Sequence, residues 1–131
     1  MIGLDTNILV RYFAKDDPKQ TPLAVSLMKS LTPAEPGWVG FPVLIEVVFV
    51  MTRVYRVDRS RLTRILDTLL ASRDIVVEQA NIVRAALQFF RLGNADFPDC
   101  LISASARAAG CTKTVTFDRI AARDAAMQLL E

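Results

Sequence analysis

Short β-branched or apolar segments alternate with helical segments from one end of the chain to the other, and this alternation limits the fold more than any other feature. Met1–Asp5 (MIGLD) reads as a strand, followed by a helix from about Asn7 to Ala14. Thr21-Pro22 has the form of an N-cap with proline at the first helical position. Leu23, Ala24, Leu27, Met28 and Leu31 then make one apolar stripe, and Pro33 ends the helix. Trp38–Gly40 reads as a strand ahead of a helix over Pro42–Tyr55. Ser60 stands as the cap of a helix in which Leu62, Ile65, Leu66, Leu69 and Leu70 recur at helical spacing. Asp74–Glu78 (DIVVE) is short and β-branched, hence a strand. Asn81 and Gly93 bracket the helix NIVRAALQFFRL. Pro98–Ala109 reads as helix, Lys113–Phe117 as strand, Arg119–Ala126 as helix and Met127–Leu130 as a last strand. Helix separates every pair of successive strands. That pattern predicts an α/β fold with a mostly parallel central sheet of four to five strands and helices on both faces. The 131 residues correspond to one domain, spanning 1–131, at roughly 150 residues per domain.

Composition narrows the chemistry. There is no histidine, which removes Ser-His-Asp and Cys-His nucleophiles, imidazole acid–base pairs and His-rich zinc sites. Catalysis here has to run on carboxylates, metal ions, Lys, Tyr, Cys or hydroxyls. The two cysteines, Cys100 and Cys111, match no zinc or redox spacing and sit among small apolar residues, so both are expected to be reduced and packed. Asp5 and Arg11 interrupt the N-terminal apolar run, which argues against a signal peptide. The most apolar stretch, Phe41 to Met51, contains Glu46 and is far shorter than the ~20 residues of a membrane span. The expectation is a soluble cytoplasmic domain without a membrane partner. A formal charge of +2 neither implies nor excludes nucleic acid.

In parallel α/β folds the working site lies beyond the carboxyl ends of the strands. Asp5 ends the first strand, Asp118 follows the segment TVTF, and Glu46 lies in the early turns of the helix leaving the second strand. Asp99 begins a helix of about 11 residues that covers ~16 Å, the length of five strand residues at ~3.3 Å each, so its start returns to the same edge. Four acids from distant parts of the chain are thus expected to converge. Asp96, one helical turn before Asp99, is a candidate to join them, with Glu78 and Asp124 ranked lower. Taken singly, Asp5, Asp96 and Asp118 are equally ordinary helix caps, and Asp99 an ordinary dipole partner. Glu46, flanked by apolar residues and with no Lys or Arg within one helical turn, calls for a charged partner or a metal. Two carboxylates about 4 Å apart repel by roughly 4 kcal/mol at an effective dielectric near 20, so four in one pocket need a cation. Oxygen-only ligands select Mg²⁺ or Mn²⁺, and such a site suits phosphodiester hydrolysis by a metal-activated water.

Asp5-Thr6-Asn7-Ile8-Leu9, the isolated Glu46, Ala95-Asp96-Phe97-Pro98-Asp99-Cys100-Leu101-Ile102 and Thr116-Phe117-Asp118 together closely resemble PIN domains, nearest to the VapC toxins of bacterial type II toxin–antitoxin pairs. The resemblance covers essentially the whole chain in order and spacing. It implies a metal-dependent endoribonuclease that cuts RNA by water attack and leaves a 5′-phosphate. Asp5, Glu46, Asp99 and Asp118 stand at the family's acidic positions. The resemblance makes Asp5 and Asp99 direct metal ligands, Glu46 a ligand or orienter of the water, and Asp118 a ligand directly or through water. Thr6, Asn7 and Thr116 match polar neighbours that steady the carboxylates or the phosphate, and Asp96 also recurs in such toxins. Pro98 departs from the family's usual small residue, which touches only the placement of Asp99. The resemblance further implies a homodimer and a cognate antitoxin protein that covers the acidic site.

The helix from Phe41 to Tyr55 is apolar nearly all round, which fits either a partner or burial on two sides of the monomer. Arg53, Arg56, Arg59, Arg61 and Arg64 cluster against a lone Asp58, as an RNA-binding surface or as a solvated helix–loop face. Haloacid-dehalogenase-like phosphatases need a second acid where this chain has Asn7. Response-regulator receivers need paired acids after the first strand and a phosphoacceptor after the third, where only Glu78 is present. The remaining alternative is a catalytically silent PIN-like module that binds RNA or protein. Four converging negative charges argue against it.

Overall fold

The expected alternation is present. The computed structural model describes residues 1–131, in the order β1 (Ile2–Gly3), α1 (Thr6–Ala14), α2 (Gln20–Ser30), β2 (Gly37–Val39), α3 (Phe41–Arg53), α4 (Arg59–Ala71), β3 (Ile75–Val77), α5 (Ala80–Leu92), α6 (Phe97–Ala108), β4 (Val115–Thr116), α7 (Arg119–Asp124) and β5 (Gln128–Leu129). All strand pairs are parallel: β1-β2-β3 form one ladder and β4-β5 a second. This is an α/β fold with parallel strands and seven helices, as expected, but the five strands are divided between a three-stranded and a two-stranded ladder and do not join in one central sheet of four to five. The strands are shorter than the apolar segments that announce them, because the chain leaves each ladder early to begin the next helix. Strand-like bonds still continue past the ends, from Leu4 N–H to the Trp38 carbonyl (2.9 Å) and from Glu78 N–H to the Val39 carbonyl (2.8 Å).

Two compact units divide the chain, Met1–Glu78 and Gln79–Glu131. In the first, Leu9, Val39, Leu44, Val47, Met51, Leu66 and Leu69 are buried almost completely. In the second, α5 packs on α6, and the rings of Phe90 and Phe97 meet edge to face at 5.8 Å. No helix is long and apolar enough to cross a membrane. Cys100 and Cys111 are both free thiols; Cys100 is buried, whereas Cys111 lies exposed in the turn after α6, contrary to expectation.

Several helix starts differ from their sequence signals. Asp17, rather than Thr21, opens α2: its Oδ1 accepts from Lys19 N–H (2.9 Å) and Gln20 N–H (2.7 Å), and the Thr21 hydroxyl accepts from Asp17 N–H (3.2 Å). Those bonds from Gln20 and Lys19 hold the Asp17 carboxyl below the ordinary carboxylate range. The α2 stripe is only partly realised, since Ala24 and Leu31 are buried but Leu23 is 71% exposed. Asp58, rather than Ser60, caps α4 through Arg61 N–H (2.8 Å). Before α5 stands Gln79, at φ 53°, while Asn81 lies inside the helix and accepts from Arg84. In both α2 and α4 an aspartate ahead of the helix, at the N-cap in α4 and two residues before it in α2, accepts the free N–H groups.

α3 has an unusual cap. The residue before it, Gly40, has no side chain, and a Cβ there would lie 2.8 Å from the Trp38 ring. Glu78, at the end of β3, supplies the acceptor from across the sheet, its Oε1 taking Phe41 N–H at 2.7 Å. Glu78→Ala is expected to cost about 1 kcal/mol, the value of a lost helix cap. Thermal denaturation by circular dichroism should show a lower Tm, and an unchanged Tm would mean that this bond contributes nothing.

Candidate active site

In the first unit the acids stand where α1 and α3 begin. Asp5 is the N-cap of α1, with Oδ1 accepting Thr6 N–H at 2.7 Å. Thr6 is buried, and its hydroxyl donates to Glu46 Oε2 at 3.2 Å. Glu46 is exposed and is not set in an apolar interior. Its apolar sequence neighbours belong to other faces of the helix: Leu44, Val47, Val48 and Met51 enter the core, while Glu46, Val50 and Val54 share a stripe at four-residue spacing. The all-round apolar character of this helix is therefore divided between a core face and a cavity face. That cavity, about 400 Å³, is lined by Asp5, Thr6, Asn7, Arg11, Glu46 and Tyr55 together with three valines.

Arg11 and Tyr55, neither of which the sequence singles out as a site residue, close the far end. The Tyr55 hydroxyl donates to Asp16 Oδ2 (2.8 Å) and accepts from Arg11 Nη1 (3.2 Å). The bond to Asp16 holds the phenol above its ordinary pKa. The available signal was helical spacing: Arg11 is one turn beyond Asn7, and Tyr55 directly follows the Glu46–Val50–Val54 stripe.

In the second unit Asp96, Asp99 and Asp118 form one electrostatic group. Asp96 caps α6, its Oδ1 accepting Asp99 N–H at 2.9 Å, and Asp118 caps α7, its Oδ1 accepting Ala121 N–H at 2.9 Å. The Thr116 hydroxyl accepts Asp118 N–H at 3.0 Å and so sets the backbone that carries this acid. Burial pushes the Asp99 carboxyl above the ordinary carboxylate range, and the charges of Asp96 and Asp118 and a carboxyl–carboxyl hydrogen bond with Asp96 add to the shift. Pro98 sits in the first turn of α6 without disturbing it.

The capping reading of these acids is thus correct, and it leaves them chemically available. Asp5 and Asp118 each spend Oδ1 on a backbone N–H and keep a second carboxylate oxygen outside the cap, whereas Asp96 is engaged both with Asp99 N–H and with the Asp99 carboxyl. Neither group is by itself a closed cage of three donors, and Mg²⁺ characteristically keeps several waters and takes few protein carboxylates. The donor chemistry, all oxygen with one carboxyl held against its neighbours' charge, fits a hard divalent ion. The two lower-ranked acids have structural tasks: Glu78 caps α3, and Asp124 Oδ2 accepts Asn94 N–H at 3.0 Å.

The arginine cluster is less uniform than its sequence. Arg53 stacks on Phe49 at 4.7 Å, Arg61 donates to the Phe13 carbonyl at 3.3 Å, and Arg64 donates to Ser60 at 2.9 Å. Arg56 and Arg59 are exposed at the turn into α4.

A parallel α/β chain with carboxylates at its helix starts has counterparts among known proteins. The model of the PIN domain matches residues 2–126, and the chain belongs to that family. A VapC ribonuclease of Aquifex aeolicus (strain VF5) is 25% identical over 116 residues, covering 88% of this chain and 86% of that protein.

The raised Asp99 carboxyl makes a stability prediction. A group with its folded pKa above its unfolded value favours folding most when protonated, and that contribution is lost as pH rises through the folded value. In metal-free buffer at pH 7, Asp99→Asn should therefore melt above the wild type. The difference should fade as pH falls below the ordinary carboxylate range, where wild-type Asp99 carries its own proton. A lower Tm for Asp99→Asn at pH 7 would contradict this electrostatic account.

Proposed function

We propose that this PIN-domain protein, acting as one domain over residues 1–131, is a Mg²⁺- or Mn²⁺-dependent endoribonuclease toxin of a toxin–antitoxin pair. Its substrate is RNA, its site of action the cytoplasm, its working form a homodimer, and its regulator a cognate antitoxin protein. Family membership and the likeness to a VapC ribonuclease support this reading. The observation that carries it is the electrostatics of Asp99, whose carboxyl is held toward its protonated form by burial, Asp96 and Asp118. A divalent cation held there would offset that opposition and favour the ionised form.

Asp5, Glu46, Asp99 and Asp118 are the proposed metal-holding and catalytic acids. A bound divalent ion would supply a water of lowered pKa and neutralise charge developing on the phosphate. Asp5 and Asp99 would present their uncommitted oxygens as ligands. Glu46, held by the Thr6 hydroxyl, would accept a proton or a hydrogen bond from the attacking water. Asp118, fixed by Thr116 and Ala121, would take part directly or through water. Thr6, Asn7, Asp96 and Thr116 would keep these groups oriented.

Purified, antitoxin-free protein should cut a mixed RNA substrate in Mg²⁺ or Mn²⁺ and stop in chelator. Asp5→Asn and Asp99→Asn should each lower kcat by about 100-fold or more. The double variant should lose little beyond either single one, because groups that act in one step are strongly non-additive. Cleavage that survives chelator or both substitutions would overturn the mechanism. RNA binding without cleavage in either metal would mark a binding module.

A further inference from the structure

We propose that the cavity between α1 and α3 is a nucleotide subsite, in which the nucleotide next to the scissile phosphate stacks its base on Tyr55 and sets its phosphate toward Arg11. This inference rests on the ribonuclease reading above and adds to it the residues that grip the substrate.

The cavity is a trough with two unlike ends. At one end lie the Asp5 and Glu46 carboxylates; at the other lie the Arg11 guanidinium and the Tyr55 ring; Val10, Val50 and Val54 line it between them. The Thr6–Glu46 hydrogen bond at 3.2 Å ties the two helices at the acidic end, and the Arg11–Tyr55 bond at 3.2 Å ties them at the other. From Glu46 to Val54 is eight residues of helix, or ~12 Å. The volume, about 400 Å³, lies within the usual range for small-molecule sites, about 300–1,000 Å³. An order of carboxylate, apolar lining and cation suits a nucleotide whose scissile phosphate meets the acidic end through a cation. Its base would cover the valines and the ring, and its other phosphate would reach a positive group. A basic peptide would complement the acidic end alone, and an acidic peptide only the cationic one.

Tyr55 is prepared for stacking. Its hydroxyl is held between Asp16 Oδ2 at 2.8 Å and Arg11 Nη1 at 3.2 Å, so the ring is ordered before a base arrives. Arg11 is held in turn, with Nε on Gln20 Oε1 at 2.7 Å and Asp16 and Asp17 at 3.5 and 4.0 Å. Those two carboxylates compensate part of its charge, so the aromatic surface supplies more of the grip than the guanidinium does. Beyond Tyr55 the chain turns through Arg56, at φ 54°, and exposed Arg59 follows three residues later. Neither arginine lines the trough, but both lie within four residues of Tyr55 in the chain, and positive charge near the site favours an RNA backbone.

The test measures binding separately from cutting. In an Asp99→Asn background, anisotropy of a short, 5′-labelled, mixed-sequence RNA gives Kd for Tyr55, Tyr55→Phe, Tyr55→Trp and Tyr55→Leu. Phe and Trp keep the stacking surface without the phenol bonds and should retain most of the affinity. Leu keeps apolar volume only and should weaken binding about tenfold or more. In the otherwise wild-type enzyme, Tyr55→Leu should raise KM far more than it lowers kcat. Equal affinities across the four proteins, or losses for Phe and Trp as large as for Leu, would overturn the subsite. So would a Leu effect confined to binding of a protein partner. If the wild type cuts no RNA in either metal, the ribonuclease reading fails, while the anisotropy series still decides the stacking role.

Discussion

Four of the five parallel strands in this protein hand the chain to a helix, and every helix start exposes backbone N–H groups that need an acceptor. That demand organises the molecule. Asp5, Asp17, Asp58, Asp96 and Asp118 meet it from just before their helices, and Glu78 meets it from the end of a neighbouring strand. A carboxylate has two oxygens, and capping takes one of them in Asp5, Asp96 and Asp118. Under the proposed function, the acids that cap these helices at the strand ends would also carry the chemistry.

The two acidic groups are built differently. Around Asp99, burial and like charges act together and raise the cost of ionisation. Around Glu46 a single hydroxyl donor, Thr6, links the carboxylate to the start of α1 while the rest of the group meets solvent. The first arrangement stores an electrostatic penalty that a bound cation would relieve. The second holds a carboxylate in place beside open space, where a water or a substrate can reach it. Proteins commonly keep such locally unfavourable groups where function requires them, at some cost in stability.

Much of the architecture is legible in the chain. The order of strands and helices, the parallel pairing and the presence of a last short strand all follow from β-branched segments set between helical periodicities. The acids around Asp5, Asp96, Asp99 and Asp118 are visible because each stands at a recognisable helix start. The exact caps are not, as Thr21, Ser60 and Asn81 show. Local sequence offers two or three acceptors within reach, and the path of the chain selects one. Leu23, set in an apolar stripe but exposed, makes the same point: the stripe specifies a face, and packing decides how much of it is covered.

The sequence by itself determined the class of fold and the residue types available for chemistry, because periodicity and side-chain inventory are local properties. No arrangement can introduce a histidine that the chain lacks, or make a parallel crossover from strands without helices between them. Tertiary structure alone decided that Glu46 faces an open cavity instead of an apolar interior. It also decided that Glu78 is a cap at a distance, and that Arg11 and Tyr55 meet at the end of a trough whose other end is acidic. Those outcomes depend on how one helix is rotated and placed against another. Only long-range packing sets that rotation, and residues near one another in the sequence carry no record of it.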